Sequence, residues 1–379
     1  MTVPQRDRIY LSPPNVGPEE IAAVTAALES GWVSPLGPEV DAFEQDLVAF
    51  TGAKYAVALS SGTAGLHLAL LALGVGPGDE VVVPTMTFGA TAFAVTYTGA
   101  SPVFLDIEER TWNLDPSLLE EFLQQRAQVN KLPAAIITVD LFGRPCDYDV
   151  IQEIAARYEV PLVDDAAEAL GSKYKGKQLG TFATSTIFSF NGNKIMTTSG
   201  GGVLVTDDES IADKVRYWAT QSREPLPWYE HKEIGFNYRM SNILAAIGRV
   251  QLSKLPRFIE SRTFIHEEYI NQMSSSSDIA VITDQEWMVS NHWLTNCRLL
   301  SKHSESAISA ISNELNFLNI ESRHVWKPMH LQPIFLKEKS LLTGTSENIF
   351  RSSICLPSGP QMPLSVIQDI CLKILEYRG

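Results

Sequence analysis

Cysteine is scarce in this chain of 379 residues, which holds only 4. Cys146, Cys297, Cys355 and Cys371 are too few and too scattered for a disulfide framework or a zinc site, so they read as reduced structural thiols. Positive charge is also short: 30 Lys and Arg stand against 44 Asp and Glu. Without an extended basic stripe to neutralise phosphates, nucleic acid is excluded as an expected partner. No apolar run is long enough to span a bilayer, which excludes an integral membrane helix. The segment Met1-Thr2-Val3-Pro4-Gln5-Arg6-Asp7-Arg8 lacks the apolar stretch of a signal peptide, and a cytoplasmic enzyme is the expectation.

What the chain does contain is an alternation of strand-prone and helix-prone segments. Short apolar runs at 55–59, 80–83, 102–106, 134–139, 161–164, 185–190 and 202–205 read as seven strands. Helical spacing marks 17–30 and 40–50 before them, then 64–73, 88–97, 116–126, 148–158 and 209–220. That order predicts an α/β fold with a seven-stranded, mostly parallel sheet covered by helices on both faces. After Asn242 the pattern changes. A helical stretch over 243–273, with a break expected at Pro256, leads to the polar loop Ser274-Ser275-Ser276-Ser277. Strands at 279–282 and 293–300 and helices at 304–317 and 364–377 then predict a smaller C-terminal α/β domain. The expected division is 1–250 and 251–379.

Ligands of such sheets collect beyond the carboxyl ends of strands, and four polar motifs fall there. In Ser189-Phe190-Asn191-Gly192-Asn193-Lys194 an apolar strand stops and presents one lysine, and Ser199-Gly200-Gly201-Gly202 leads into the next strand. A held, partly desolvated amine is a nucleophile towards carbonyls, whereas a solvated loop lysine is not. Ser60-Ser61-Gly62-Thr63 joins a strand to a helix; its backbone N–H groups can cradle an anion, or the serines can serve as a plain N-cap. Ser189 can add a hydroxyl to the same anion. Val163-Asp164-Asp165-Ala166-Ala167-Glu168 sets carboxylates at a strand end, and no His or Cys cluster accompanies them to make a metal site. Alternation turns only one of Asp164 and Asp165 into the site, where it can pair with a protonated ring nitrogen. Phe88, after Pro84-Thr85-Met86-Thr87, is either a stacking surface for an aromatic ligand or a core residue. Gly235-Phe236-Asn237-Tyr238-Arg239-Met240-Ser241-Asn242 is suited to a ligand or to a subunit contact.

An amine nucleophile, an anion cradle, a carboxylate for a ring nitrogen and an aromatic surface together describe a pyridoxal phosphate (PLP) site. On these motifs the chain resembles the sugar aminotransferases of the DegT–StrS family, in the aspartate-aminotransferase-like, fold type I group of PLP enzymes. The resemblance runs from Ile9-Tyr10-Leu11-Ser12-Pro13-Pro14 into the C-terminal domain. It implies that Lys194 holds PLP through its amine and later shuttles a proton between the substrate carbon and the cofactor. It further implies that Asp165 pairs with the pyridine nitrogen, that Ser61, Gly62, Thr63 and Ser189 hold the phosphate, and that Phe88 stacks on the ring. Glu168 stands near the phenolic oxygen, where relatives more often have Gln or His. Asn237 matches a residue that reaches the PLP phosphate of the neighbouring subunit, which implies a homodimer with shared sites. Family relatives that dehydrate sugars carry His at the Lys194 position, so the lysine points to transamination.

The Lys194 motif, Leu11-Ser12-Pro13-Pro14 and Trp326-Lys327-Pro328-Met329-His330-Leu331-Gln332-Pro333 resemble one branch in particular. That branch aminates C4 of UDP-4-keto-6-deoxy-N-acetylglucosamine. The implied reaction is a ping-pong transfer from L-glutamate, which leaves as 2-oxoglutarate. Arg323, Lys327 and His330 are then candidate contacts to the diphosphate, or alternatively a salt-bridged surface cluster. Trp32 and Ser34 are candidate sugar contacts. A keto sugar linked to dTDP or GDP, or a non-catalytic binding protein of the same fold, are the competing expectations.

Overall fold

Apolar runs at the expected places pair into one large sheet in the computed structural model, which describes residues 7–300 and 305–376. Its strands are β1 (Tyr55–Leu59), β2 (Glu80–Pro84), β3 (Ser101–Leu105), β4 (Ala135–Val139), β5 (Leu162–Asp165), β8 (Ser185–Ser189), β9 (Gly202–Thr206) and β14 (Ser340–Leu341). They lie in the order β1-β9-β8-β5-β4-β2-β3-β14. Only β9 runs against its neighbours; every other pairing is parallel. As a result the carboxyl ends of β1, β2, β5 and β8 and the start of β9 share one edge of the sheet. The short strands β6 (Lys173–Tyr174), β7 (Lys177–Gln178) and β11 (Met288–Val289) form a separate ribbon.

The large sheet has eight strands where the sequence reading expects seven. The eighth, β14, is two residues long and carries no periodic signal of its own. It is recruited because the outer edge of β3 needs partners: Phe104 N donates to Lys339 O and Asp106 N to Leu341 O.

Helices α1 (Pro18–Glu29) and α2 (Pro38–Thr51) precede the sheet, and α3 (Gly62–Ala72), α4 (Gly89–Tyr97), α5 (Pro116–Gln128), α6 (Tyr148–Arg157) and α7 (Glu209–Ala219) alternate with its strands. Side-chain caps fix several starts: Ser61 for α3, Asp115 for α5 and Asp208 for α7 each accept from a backbone N–H of the first turn. Val81, Val82, Val83, Ile136 and Ile137 are fully buried, as strands covered on both faces must be. Each such side chain contributes about 1.5–3 kcal/mol of burial free energy.

The long helix α8 (Asn242–Met273) passes through Pro256 without interruption, which corrects the expected break. Proline removes one backbone donor, but Leu252, Leu255 and Phe258 are buried on either side of it, and that packing holds the helix together. The division expected at 250 therefore falls inside a helix. Ala245, Leu252, Leu255 and Phe258 join the core of the large sheet. Ile265, Tyr269 and Met273 join a second core under the antiparallel strands β10 (Ile279–Val281), β12 (Thr295–Leu299), β13 (Arg323–His324) and β15 (Ser353–Leu356). Helices α9 (Glu305–Phe317) and α11 (Leu364–Glu376) pack on that core, and α10 (Thr345–Ser352) lies between β14 and β15. The helix ends expected at Ser304 and Tyr377 lie outside the described residues. All four cysteines are free and buried. Among the described residues no helix is long and apolar enough to cross a membrane.

Candidate active site

Between β8 and β9 the chain makes a loop that is closed at its root. Phe190 N donates to Gly201 O at 2.9 Å, and Thr198 N donates back to Phe190 O at 2.9 Å. The carbonyl of Asn193, one residue before Lys194, accepts from Ser12 Oγ at 2.7 Å and from Trp293 Nε1 at 2.7 Å. Lys194 is thus held by its preceding peptide. Its Nζ lies 4.1 Å from the centre of the Trp293 ring and 3.4 Å from Glu168 Oε1. The lysine side chain is only 12% exposed, so the amine is largely withdrawn from water.

Asp165 ends β5 and faces the same cavity, whereas Asp164 points away and accepts from Thr138 Oγ1 at 3.2 Å. Strand alternation explains the choice between them. Asp165 Oδ2 accepts from Thr91 Oγ1 at 2.6 Å and Oδ1 from Ala167 N at 3.2 Å. Burial pushes its carboxyl above the usual carboxylate range, while the Thr91 and Ala167 donors and the Lys194 charge oppose that rise. Glu168 Oε2 accepts from Phe142 N at 2.7 Å, and its Oε1 lies 3.3 Å from Trp326 Nε1. Phe142 adopts a left-handed backbone with φ 56°, a strain that aims its N–H at Glu168.

The anion cradle lies at the start of α3. Ser61 caps the helix by accepting from Ala64 N at 3.0 Å, which leaves earlier N–H groups free to meet a ligand. Gly202 approaches so closely that a Cβ there would stand 2.5 Å from Gly62 N, and a Cβ on Gly62 would stand 3.1 Å from Ser189 Cβ. Only glycine fits at 202, and a side chain at 62 would crowd Ser189, so backbone forms this wall. Phe88, at the start of α4, is 61% exposed on the cavity side, which overturns the core-residue reading. Its ring meets Trp326 edge-on, with centroids 6.1 Å apart.

These groups line one cavity of about 300 Å³. It brings together nine predicted residues: Ser61, Gly62, Thr63, Phe88, Asp165, Glu168, Ser189, Lys194 and Arg323. Five others lie elsewhere. His330 Nδ1 is bonded to Thr85 Oγ1 at 2.6 Å and its Nε2 lies 3.4 Å from Glu347, so it fastens its own segment to the end of β2. Lys327 is exposed outside the cavity lining. Neither therefore lies with Arg323 in the wall of this cavity. Ser34 and Asn237 line a different groove, of about 580 Å³, and Trp32 is exposed outside both. Trp293 is a site residue without a local signal, and Thr91, which ends the motif Pro84-Thr85-Met86-Thr87-Phe88-Gly89-Ala90-Thr91, has a role that the motif does not reveal. Each meets the site through a contact far along the chain.

The donor set fits PLP. It offers an amine for the aldehyde, a buried carboxyl for the ring nitrogen, an uncovered aromatic face and a side-chain-free helix start for a phosphate. Comparison with known proteins bears on the same point. A profile described as the DegT/DnrJ/EryC1/StrS aminotransferase family matches residues 14–375. The chain is 44% identical over 362 residues to the putative pyridoxal phosphate-dependent aminotransferase EpsN of Bacillus subtilis, covering 94% of this chain and 92% of EpsN. It is 36% identical to GDP-perosamine synthase of Escherichia coli O157:H7, covering 96% and 97% of the two chains. The solved PLP form of the putative sugar aminotransferase Spr1654 from Streptococcus pneumoniae superposes with a TM-score of 0.88 at 29% identity, covering 97% of this chain and 99% of that one. The protein thus belongs to the DegT/DnrJ/EryC1/StrS family and is a PLP-dependent sugar aminotransferase.

Proposed function

We propose that this enzyme transfers the amino group of L-glutamate to C4 of UDP-4-keto-6-deoxy-N-acetylglucosamine. The observation that carries the chemistry is the meeting of the Lys194 amine and the buried Asp165 carboxyl in one cavity. Bound PLP supplies an electron sink for negative charge developing at the substrate carbon. The Lys194 amine would hold the cofactor and would also move the proton to and from that carbon. Asp165 holds a proton on the ring nitrogen by charge pairing, and Thr91 fixes the orientation of its carboxyl. Ser61, Gly62, Thr63 and Ser189 would hold the phosphate, Phe88 would offer its ring for stacking, and Glu168 would serve the phenolic oxygen. Arg323, which lines the cavity and pairs with Glu321 at 2.7 Å, is a cation for an anionic group of the substrate. Asn237, which lines a groove with Ser34, would reach the cofactor phosphate of a second subunit in a homodimer.

The UDP sugar is favoured by the motifs around Lys194 and Trp326. A second reading, a GDP-linked keto sugar, is favoured by the likeness to GDP-perosamine synthase. Incubating the PLP-loaded enzyme with glutamate and 4-keto-6-deoxy sugars linked to UDP, GDP or dTDP separates them, with products read by mass and NMR. The expected result is amination of the UDP sugar with release of 2-oxoglutarate; preference for the GDP sugar overturns the first reading. Lys194→Ala should abolish both turnover and the visible absorbance that borohydride fixes to the protein.

A further inference from the structure

Arg262, on α8, is 1% exposed, and its hydrogen-bond partners among the described residues are neutral oxygens. Burial pushes its guanidinium down to about 9, so it stays charged near neutral pH. A cation buried without a carboxylate is costly to keep, and a neutral chain of similar length would fill the same space. The three acceptors explain its retention. Arg262 Nη1 donates to Trp293 O at 2.5 Å and to Ser358 O at 2.8 Å, and Nη2 donates to Ser12 Oγ at 3.0 Å.

Each of these acceptors leads towards the lysine. Ser12 Oγ donates to Asn193 O, and Trp293 Nε1 donates to the same oxygen, both at 2.7 Å. The Trp293 ring is also the surface over which Lys194 Nζ sits. Ser358 steadies both arms: its N donates to Leu11 O at 2.9 Å, and its Oγ accepts from Thr295 N at 2.8 Å. One guanidinium therefore fastens both groups that grip the peptide before Lys194.

We propose that Arg262 is a positioning residue for Lys194, acting through Ser12 and Trp293 to fix where the amine stands relative to the cofactor. The proposal rests on the reading of Lys194 as the cofactor anchor. The test uses PLP-loaded wild type, Arg262→Lys, Arg262→Met and Ser12→Ala, each checked for folding by thermal melting. The first readout is the pH midpoint of the visible absorbance, expected to move by about one unit in Arg262→Met. The second is the rate at which borohydride fixes PLP to the protein, expected to fall about tenfold in Arg262→Met. Arg262→Lys recovers part of both changes. Ser12→Ala, which removes one arm with little loss of packing, shifts both in the same direction by less, at an unchanged melting temperature. Folded variants with the wild-type midpoint and fixation rate overturn the proposal, and Ser12→Ala alone decides between the outcomes if Arg262→Met does not fold. A wild type that takes up no PLP sinks the reading of Lys194 itself, a different outcome from unaltered variants.

Discussion

Thr91 shows how a single hydroxyl can set the state of a catalytic acid. It donates to Asp165 Oδ2 at 2.6 Å and is paired at 2.6 Å with Thr87 Oγ1. Burial alone drives the Asp165 carboxyl towards its neutral form, which could not pair with a protonated ring nitrogen as an ion. Thr91 opposes that drift. Thr91→Val keeps the shape and removes the donor, so the Asp165 carboxyl should rise further and the cofactor be held more weakly. A hydrogen bond to a charged group is worth about 1.5–3 kcal/mol, so PLP affinity should fall about tenfold or more. Titrating PLP into the apo protein, with absorbance as the readout, measures this directly. Unchanged affinity would show that Ala167 N and Lys194 suffice to hold the acid. The pair Asp164 and Asp165 was readable from its place at the end of an apolar strand, and the family resemblance chose Asp165; the role of Thr91 was not readable, since its partner lies 74 residues away.

At the scale of elements, the strands that build the site edge also carry acids that have no contact with the cavity. Asp140 directly follows β4 and accepts from Tyr148 OH and from Cys146 N, each at 2.8 Å. Burial, with the charge of Asp165 adding to it, pushes Asp140 up to about 7. The unfolded chain binds this proton only below about pH 4. Between those values the folded state holds more proton than the unfolded one, so stability from this group is full below the lower value. It is lost as pH rises towards about 7 and is constant above that. Asp140→Asn removes the titration while keeping the side-chain shape. The stability of wild type relative to this variant should therefore fall as pH rises through the window and level off above it. Denaturant melts across the window check this, and a difference independent of pH would contradict it. Elements of this kind were legible where burial on both faces makes a strand uniformly apolar, as in Val81-Val82-Val83. They were not legible where tertiary packing decides: β14 is too short to announce itself, and α8 survives Pro256 only because its neighbours are buried.

For the whole molecule, Asn237 lies apart from the Lys194 cavity, so the proposed shared site needs a partner to bring it there. Asn237 is exposed in a groove with Ser34, Leu36 and Leu226, while Trp32, Leu36, Trp228 and Ile234 leave apolar surface uncovered. Surface of this kind is suited to a second copy of the chain. If Asn237 serves the cavity of the other subunit, two inactive proteins should repair each other. In a hybrid of Lys194→Ala with Asn237→Ala, one site keeps both residues and the other loses both. Random exchange makes about half of all dimers hybrid, with one good site in two, so about a quarter of wild-type activity should return. If Asn237 instead serves its own chain, every site in the hybrid lacks one residue, and mixing returns no more than the mean of the parents. Co-expression with two affinity tags and measurement of glutamate-dependent turnover distinguish these outcomes, the purified hybrid being expected to show about half of wild-type activity. A homodimer without such repair would still cover the apolar face but would leave the active site complete within one chain.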